Sequence, residues 1–527
     1  MLEPTTVVLT HTLGDGAHAA DAGEGLAGDT LEFGGLDVVA PPPIPETWEL
    51  EDVGAKDDRL VGAGLGLFGL RAIPFVDRQS SRDLIWRRLR EMIEDGEVRG
   101  VSLRGPAGNG KSRLVEWMAR RAHEVGAVVV LRAAHSHEGG PAEGISRMLD
   151  DYLRTWSLGR QARYTRILAE LTACGAEEVL DGRNPMAFAR ALTELVGQGA
   201  GEAGAESDGP MYVFSGPDDR YRVVCDFLQV LAQNRPVLLW LDDAPLGADA
   251  LGLVDFMLRE RANMSSLLLL TSRDSTIDED ESVAQRLEAI QQDQRFDRID
   301  LERMSSQDNV ELIRRTLRLD PELTLQVEEC TQGNPLFAVQ LIGEWVSRGI
   351  LETGADGFSL REGAANALPR SMHELWIQRI ERLLEDFPRE QRWDLRLSLE
   401  LAAMFGQHVD QREWKEACHQ RDIWPSDDLV GTMVEQGMAR RAPTGASFAH
   451  GLLAESLRQA AERAGRAVEH RMSCVRALET LYPDAPMKTA ARRAHHLLEA
   501  GRPRAALVPL KQAFHHTMDH GEYPRGR

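Results

Sequence analysis

The residues with the clearest chemistry form a glycine-rich segment after a short apolar stretch, residues 101–103. Residues 105–112 have the spacing G-x-x-x-x-G-K-S, and a helix is predicted directly after them. Such glycines let successive N–H groups point at a phosphate chain at the N-terminus of that helix. Lys111 would reach the β- and γ-phosphates, and the Ser112 hydroxyl would bind Mg²⁺. The predicted nucleotide-binding residues here are Gly105, Pro106, Ala107, Gly108, Asn109, Gly110, Lys111, Ser112 and Arg113.

A pair of adjacent carboxylates, Asp242 and Asp243, ends the continuous apolar run of residues 236–241. Such a run is typical of a strand buried in a parallel sheet, and ligands bind at the carboxyl edge of these sheets. Asp242 is predicted to hold Mg²⁺ together with Ser112, and Asp243 to polarise an attacking water. The alternative is a solvated acidic turn, against which the phosphate-binding loop argues.

A third apolar run, residues 267–270, ends in Thr271-Ser272-Arg273-Asp274. Arg273 would lie at the same edge of the sheet and is predicted to sense the γ-phosphate. A surface arginine that caps a strand end remains the alternative, since most arginines are exposed.

Composition limits the classes of protein to which the chain can belong. The 527 residues suffice for three or four domains. A net charge of −22 argues against a broad nucleic-acid or membrane surface. The five cysteines lie far apart, which predicts neither disulfides nor zinc and fits a reducing compartment. With no signal peptide and no long apolar run, the sequence predicts a cytoplasmic protein without a membrane partner.

Five regions are predicted along the chain from changes in composition and periodicity. Residues 1–70 are rich in Gly, Ala and acidic residues, which predicts a disordered linker. Residues 71–300 are predicted to form a P-loop ATPase domain with a parallel sheet, and 301–370 a helical lid. Helices followed by a short hairpin predict a winged-helix-like domain at 371–457. Residues 458–527 are predicted as a helical, TPR-like region that continues beyond this chain.

The order of these motifs resembles the signal-transduction ATPases with numerous domains, the STAND class, an AAA-related group of P-loop proteins. The resemblance spans about residues 71–455 and includes the loop, the acid pair, Thr271 to Asp274, and Gly333-Asn334-Pro335. It is most similar to the ATPase regions of LuxR-type regulators and of bacterial proteins with serine/threonine kinases or cyclases.

The resemblance implies ATP as the nucleotide, a contact of Pro335 with the base and ribose, and a contact of Arg273 with the γ-phosphate. His450 matches a histidine of the family's winged-helix part. Two departures affect the site. The family's V-G-R-E-like box reads Val76-Asp77-Arg78-Gln79 here. After the acid pair the family commonly has an aromatic residue and an acid; here residues 244–247 intervene, although Asp249 keeps the later acid.

Together these features predict an ATP-binding and slowly hydrolysing signal-transduction switch that regulates an effector through nucleotide-dependent rearrangement. Lys111, Asp243 and Arg273 would carry catalysis. The C-terminal helices would bind a protein effector or a signal ligand, and a nucleotide-dependent homo-oligomer is a further expectation. Two alternatives stay open: a LuxR-type transcription regulator whose DNA-binding part is absent from this chain, and a scaffold that binds ATP without hydrolysing it.

Overall fold

The computed structural model describes residues 43–49, 75–136, 143–176, 184–196, 212–354, 356–361, 369–442 and 444–519. All of these residues belong to one unit, Pro41–Arg527. The predicted acidic linker, residues 1–70, lies outside the described residues except for 43–49. Within the described ranges, no helix combines the length and the apolar character that crossing a membrane requires.

A five-stranded parallel sheet forms the centre of the first part of this unit. Its strands are β1 (Arg99–Arg104), β2 (Val129–Ala134), β3 (Val237–Asp242), β4 (Ser266–Ser272) and β5 (Phe296–Asp300). Their spatial order is β2, β3, β4, β1, β5. Because β1 and β3 both pair with β4, the carboxyl ends of these three strands lie side by side. The sheet therefore brings together the three segments that the sequence predicts to be functional.

Both faces of the sheet are buried under helices, which explains the continuous apolar runs of its central strands. Along β3, Leu239 and Leu241 belong to one apolar cluster, whereas Leu238 and Trp240 belong to another. The covering helices are α1 (Gln79–Asp95), α2 (Lys111–Glu124), α3 (Gly144–Leu153), α4 (Arg160–Ala173), α5 (Pro185–Val196), α6 (Pro217–Ala232), α7 (Ala248–Glu260), α8 (Asp274–Glu279) and α9 (Glu281–Gln291).

Two strands differ from the sequence prediction. The second strand is expected at residues 127–131, but β2 begins at Val129. The N–H of Ala127 donates instead to the carbonyl of Ala122 at 3.0 Å and closes the end of α2. Strand β5 is not predicted, because this edge strand buries Phe296 in one apolar cluster and Ile299 in another, while its other three residues are charged.

The second part of the unit is mainly helical. Its elements are α10 (Ser306–Thr316), α11 (Pro321–Thr331), α12 (Pro335–Ser347), β6 (Leu351–Thr353), β7 (Phe358–Leu360), α13 (Met372–Glu385), α14 (Arg389–Met404), β8 (His408–Asp410), α15 (Gln411–His419), α16 (Asp428–Glu435), β9 (Ala439–Ala442), β10 (Gly445–Phe448), α17 (Gly451–Arg463), α18 (Ala467–Leu481), α19 (Ala490–Glu499) and α20 (Pro503–Asp519). Strands β8, β10 and β9 form an antiparallel sheet in that order. The predicted fold class, a parallel α/β sheet followed by many helices, is confirmed.

A buried carboxylate, Glu400, joins α14 to α18. It accepts hydrogen bonds from Arg466 at 2.7 and 2.9 Å, from His470 at 3.1 Å and from Arg396 at 3.1 Å. Burial alone would raise the pKa of Glu400. The hydrogen bonds from His470 and Arg466 outweigh burial and lower the pKa to about 2. The carboxylate therefore stabilises the fold in its ionised form.

We expect Glu400→Gln to lower the midpoint of thermal unfolding at pH 7 by roughly 5–10 °C, because two arginines and a histidine lose their buried anion. The stabilisation from Glu400 is complete above its ordinary pKa of 4.5 and is lost as the pH falls toward the folded value of about 2. The difference between variant and wild type should therefore shrink below pH 4.5 in circular-dichroism melts.

Glu381→Gln is the matched control for this change. Glu381 lies 3.8 Å from the same Arg396, but its side chain is 62% exposed. Its removal should change the midpoint by no more than about 1 °C, as is usual for exposed pairs. Equal melting of Glu400→Gln and wild type at pH 7 would contradict this account of the α14–α18 contact.

Candidate functional site

The glycine-rich loop connects β1 to α2 at the carboxyl edge of the sheet. Gly105, Gly108 and Gly110 of this loop have φ values of 153°, 83° and 90°, which residues other than glycine rarely adopt. A Cβ at Gly105 would lie 2.4 Å from the carbonyl oxygen of Leu301, so no larger residue fits. Gly110 caps α2, and the first N–H groups of that helix are available to an anion.

Lys111 lies buried over this loop. Its Nζ donates to the carbonyl oxygens of Gly105 at 2.7 Å and of Pro106 at 2.9 Å. Burial lowers the pKa of Lys111 to about 8, although the nearby Asp243 favours the charged form. A phosphate chain in the loop would supply the anionic partner that favours the ammonium.

Asp242, at the end of β3, is the centre of a hydrogen-bond network. Its Oδ1 accepts from Ser112 at 2.8 Å and from Thr271 at 2.7 Å, and its Oδ2 accepts from Arg132 at 2.7 Å. Burial opposes ionisation of Asp242. Arg132, Thr271 and Ser112 more than offset burial, so the pKa lies below its ordinary value. Asp242 is therefore held as an oriented carboxylate against α2.

Ser112 and Asp242 suit the Mg²⁺ ion that the sequence predicts at this edge. Their oxygens are 2.8 Å apart, and both are the hard donors that Mg²⁺ prefers. Two protein ligands suffice, because Mg²⁺ in nucleotide sites completes its coordination with waters and phosphate oxygens. When bound, the ion would neutralise charge on the β- and γ-phosphates.

Asp243 has a left-handed backbone, with φ 50°, and turns its carboxylate toward Arg273. Its N–H donates to the hydroxyl of Thr271 at 2.8 Å. Its Oδ2 accepts from two guanidinium nitrogens of Arg273, at 2.8 and 3.1 Å. Arg273 also lies 3.8 Å from Glu455 of α17. Burial opposes the charge on Arg273, but Asp243 outweighs burial and raises its pKa.

Comparison with known proteins agrees with this geometry. Residues 74–270 match the family model described as the AAA ATPase domain. This part of the chain is an AAA-type P-loop ATPase domain. No curated protein matches the chain.

Several solved structures are similar in fold. They include a Walker-type ATPase of Pyrococcus abyssi (13% identity, TM-score 0.32, covering 74% of this chain and 99% of that one). Another is the Orc1 protein of Aeropyrum pernix in complex with DNA, with 14% identity and a TM-score of 0.34, covering 75% of this chain and 96% of that one. A third is Cdc6p of Pyrobaculum aerophilum, with 11% identity and a TM-score of 0.31, covering 76% of this chain and 98% of that one.

The helices after the AAA ATPase domain contact its phosphate-binding loop through Asn334, the N-cap of α12. The Nδ2 of Asn334 donates to the carbonyl of Ala107 at 3.2 Å, while its Oδ1 accepts from the N–H of Phe337 at 3.1 Å. The N–H of Leu336 donates to Gly108 at 3.3 Å. Pro335 is the first residue of α12, between these contacts. Its predicted contact with the base stays a prediction.

Three polar partners at the site were not predicted from the sequence as ligands or positioning residues: Arg132, Thr271 and Asn334. Asn334 could have been found, because an asparagine before a proline is a typical helix start. The role of Arg132 depends on the pairing of β2 with β3, which no local pattern reveals.

The remaining predicted residues have hydrogen-bond partners other than the acid pair. Asn109 donates to the carbonyl of Leu301 at 3.0 Å, and Arg113 pairs with Glu116 at 3.2 Å on α2. In the segment that corresponds to the family's V-G-R-E-like box, Asp77 and Arg78 both have positive φ values, 63° and 64°.

We expect Asn334→Asp to weaken ATP binding about tenfold while α12 keeps its cap, because a carboxylate there cannot donate to Ala107 and repels phosphate. Asn334→Ala should weaken ATP binding less but lower the unfolding midpoint, since it removes the cap. Calorimetric titration with ATP and thermal melts separate these effects. Asp320→Asn is the control: Asp320 caps α11, accepting from Leu323 at 2.9 Å, and its change should leave ATP affinity unaltered.

Proposed function

We propose that this protein is an ATP-dependent signal-transduction switch of the STAND type, which hydrolyses ATP slowly. The observation that carries the proposal is the position of Arg273 between Asp243 of the AAA ATPase domain and Glu455 of α17. A γ-phosphate competes with both carboxylates for the same guanidinium. Nucleotide state would thereby change the contact between the ATPase domain and the helices that follow it.

A second set of contacts supports a coupled arrangement of the C-terminal helices. His450, which precedes α17, lies 3.3 Å from Gln340 of α12, and Gln340 accepts from Arg379 of α13 at 2.8 Å. The pKa of His450 is lowered to about 4, mainly by burial and further by the charges of Arg440 and Arg379. The ring is therefore neutral at physiological pH. The start of α17 is thus linked to α12, whose N-cap contacts the phosphate-binding loop.

For hydrolysis we assign Lys111 to the β- and γ-phosphates, and Ser112 with Asp242 to Mg²⁺. Asp243 would orient the attacking water once Arg273 turns to the γ-phosphate. Because Arg273 and Asp243 are paired at 2.8 Å, this separation precedes turnover, which is consistent with slow hydrolysis.

The C-terminal helices would receive the signal or contact the effector. Helix α20 exposes several large apolar side chains, among them Leu507, Val508 and Phe514, which are 64%, 65% and 58% exposed. Exposed apolar side chains of this kind favour contact of α20 with a protein partner. The proposed division into ATPase domain, helical lid, winged-helix-like domain and helical region follows the boundaries predicted above.

A scaffold that binds ATP without hydrolysing it is the second candidate. The pairing of Asp243 Oδ2 with two nitrogens of Arg273 favours it, since a carboxylate paired with a guanidinium is a weaker base toward water. Measurement of turnover decides between the two.

We expect Lys111→Ala to weaken Mg²⁺-ATP binding at least about tenfold, because the buried cation on the phosphates is lost. Asp243→Asn should bind ATP at least as tightly as wild type, since Arg273 loses a competitor of the γ-phosphate, but reduce steady-state turnover at least about tenfold. Binding by calorimetry and phosphate release are measured on the same preparations, beside Lys415→Ala, an exposed lysine of α15 that pairs with Asp427. Unchanged turnover in Asp243→Asn would contradict its role, and absent wild-type binding would contradict the proposed function.

A further prediction concerns Glu455. We expect Glu455→Gln to raise ATP affinity about two- to fivefold without altering ADP affinity, since Arg273 then loses one competitor of the γ-phosphate; the pair is partly exposed and therefore weak. Glu462→Gln, an exposed position on the same helix, is the control and should change neither affinity. Equal effects on ATP and ADP would show that Glu455 acts without the γ-phosphate.

A further inference from the structure

Asp242 accepts hydrogen bonds from three side chains, and one of these carries a charge. Ser112 and Thr271 are neutral donors to Oδ1. The Nη2 of Arg132 donates to Oδ2 at 2.7 Å. Among the described residues, Arg132 is the cation directly paired with this carboxylate. A predicted Mg²⁺ ligand is thus already neutralised by an arginine.

The position of Arg132 follows from the pairing of β2 with β3. In the parallel register, Arg132 lies beside Trp240, and Ala134 lies beside Asp242. The guanidinium carbon lies over the Trp240 ring, 4.1 Å from its centre. From there the side chain reaches diagonally to the carboxylate two residues further along β3. Stacking and ion pairing therefore hold the guanidinium in one place.

We propose that Arg132 competes with Mg²⁺ for the carboxylate of Asp242 and so limits how strongly Mg²⁺ promotes nucleotide binding. This inference rests on the proposed nucleotide-binding function. A guanidinium at hydrogen-bond distance reduces the negative potential at the carboxylate and repels a second cation.

Other cations act on this carboxylate only at longer range: Lys111 and Arg273 interact electrostatically with Asp242 but do not hydrogen-bond to it among the described contacts. His408 of β8 lies close to Arg132; burial first, and then the charges of Arg132 and Arg147, lower the pKa of His408 to about 4. Its ring is therefore neutral at physiological pH. Arg147 of α3 is engaged with Asp151 at 2.7 Å. The positive charge that acts on Asp242 through a direct hydrogen bond is that of Arg132.

The exposure of Arg132 makes a clean substitution available. Its side chain is 46% exposed, so replacement by methionine leaves no buried void. Arg132→Met keeps an unbranched apolar chain over Trp240 but removes the charge. Arg132→Lys keeps the charge and loses the planar fork. The two variants separate the effect of charge from the effect of packing.

The test measures the affinity of the full chain for ADP by calorimetry, once in excess EDTA and once in excess Mg²⁺. We expect the factor by which Mg²⁺ tightens binding to rise about tenfold in Arg132→Met, with the affinity in EDTA within about twofold of wild type. Arg132→Lys should resemble wild type. Arg120→Met is the matched control: Arg120 is 53% exposed and pairs with Glu116 on α2. It should alter neither affinity.

Three results would overturn the inference. One is an unchanged or smaller effect of Mg²⁺ in Arg132→Met. Another is an increase that comes from weaker binding in EDTA, which would make Arg132 a phosphate ligand instead. The third is a wild-type chain that binds ADP in neither buffer, which would overturn the proposed function as well. If the chain binds ADP but the effect of Mg²⁺ is unchanged in Arg132→Met, only this inference fails and the proposed nucleotide-binding function stands.

Discussion

The charge balance around two adjacent, largely buried carboxylates is the constraint on which the rest of the site depends. Asp242 and Asp243 end a strand whose other residues are buried, so water cannot fully solvate either group. Two arginines balance the negative charge of these carboxylates. Arg132 lies within the neighbouring strand β2 and pairs with Asp242, and Arg273 directly follows the neighbouring strand β4 and pairs with Asp243. Cations brought by a ligand must share or replace these pairings. In the proposed function, nucleotide and Mg²⁺ binding would thereby be tied to side chains that also contact other parts of the molecule.

The contacts between the ATPase domain and the following helices are individually weak. Arg273 and Glu455 are both about one-third exposed, and Asn334 contacts the loop through a single 3.2 Å hydrogen bond. Exposed ion pairs and single hydrogen bonds contribute about 1 kcal/mol or less each. Differences of that size between two arrangements can be reversed by the binding of a charged ligand. The phosphate-binding loop, in contrast, is fixed by glycines and by the carbonyl of Leu301.

Within the C-terminal helices, buried carboxylates set the relative positions of neighbours. Glu344, Glu400 and Glu413 are each almost completely buried, and each forms an ion pair with an arginine of another segment. Such pairs add little net stability over apolar packing, but removing one partner is costly, so they disfavour alternative arrangements. Helices joined in this way favour movement as a group. A displacement at α17 would then reach the surface of the more distant helices.

The sequence alone determined the phosphate-binding loop, the acid pair, the central strands and the helical character of the second half, because each depends on local spacing or on a run of buried residues. It did not reveal β5, because three of the five residues of this edge strand are charged. Only the tertiary structure decided which cations meet which carboxylates. The strand order β2, β3, β4, β1, β5 puts Arg132 and Arg273 on either side of the acid pair, although they lie far from each other along the chain. Pairing across strands depends on topology and register, which no local pattern of residues encodes.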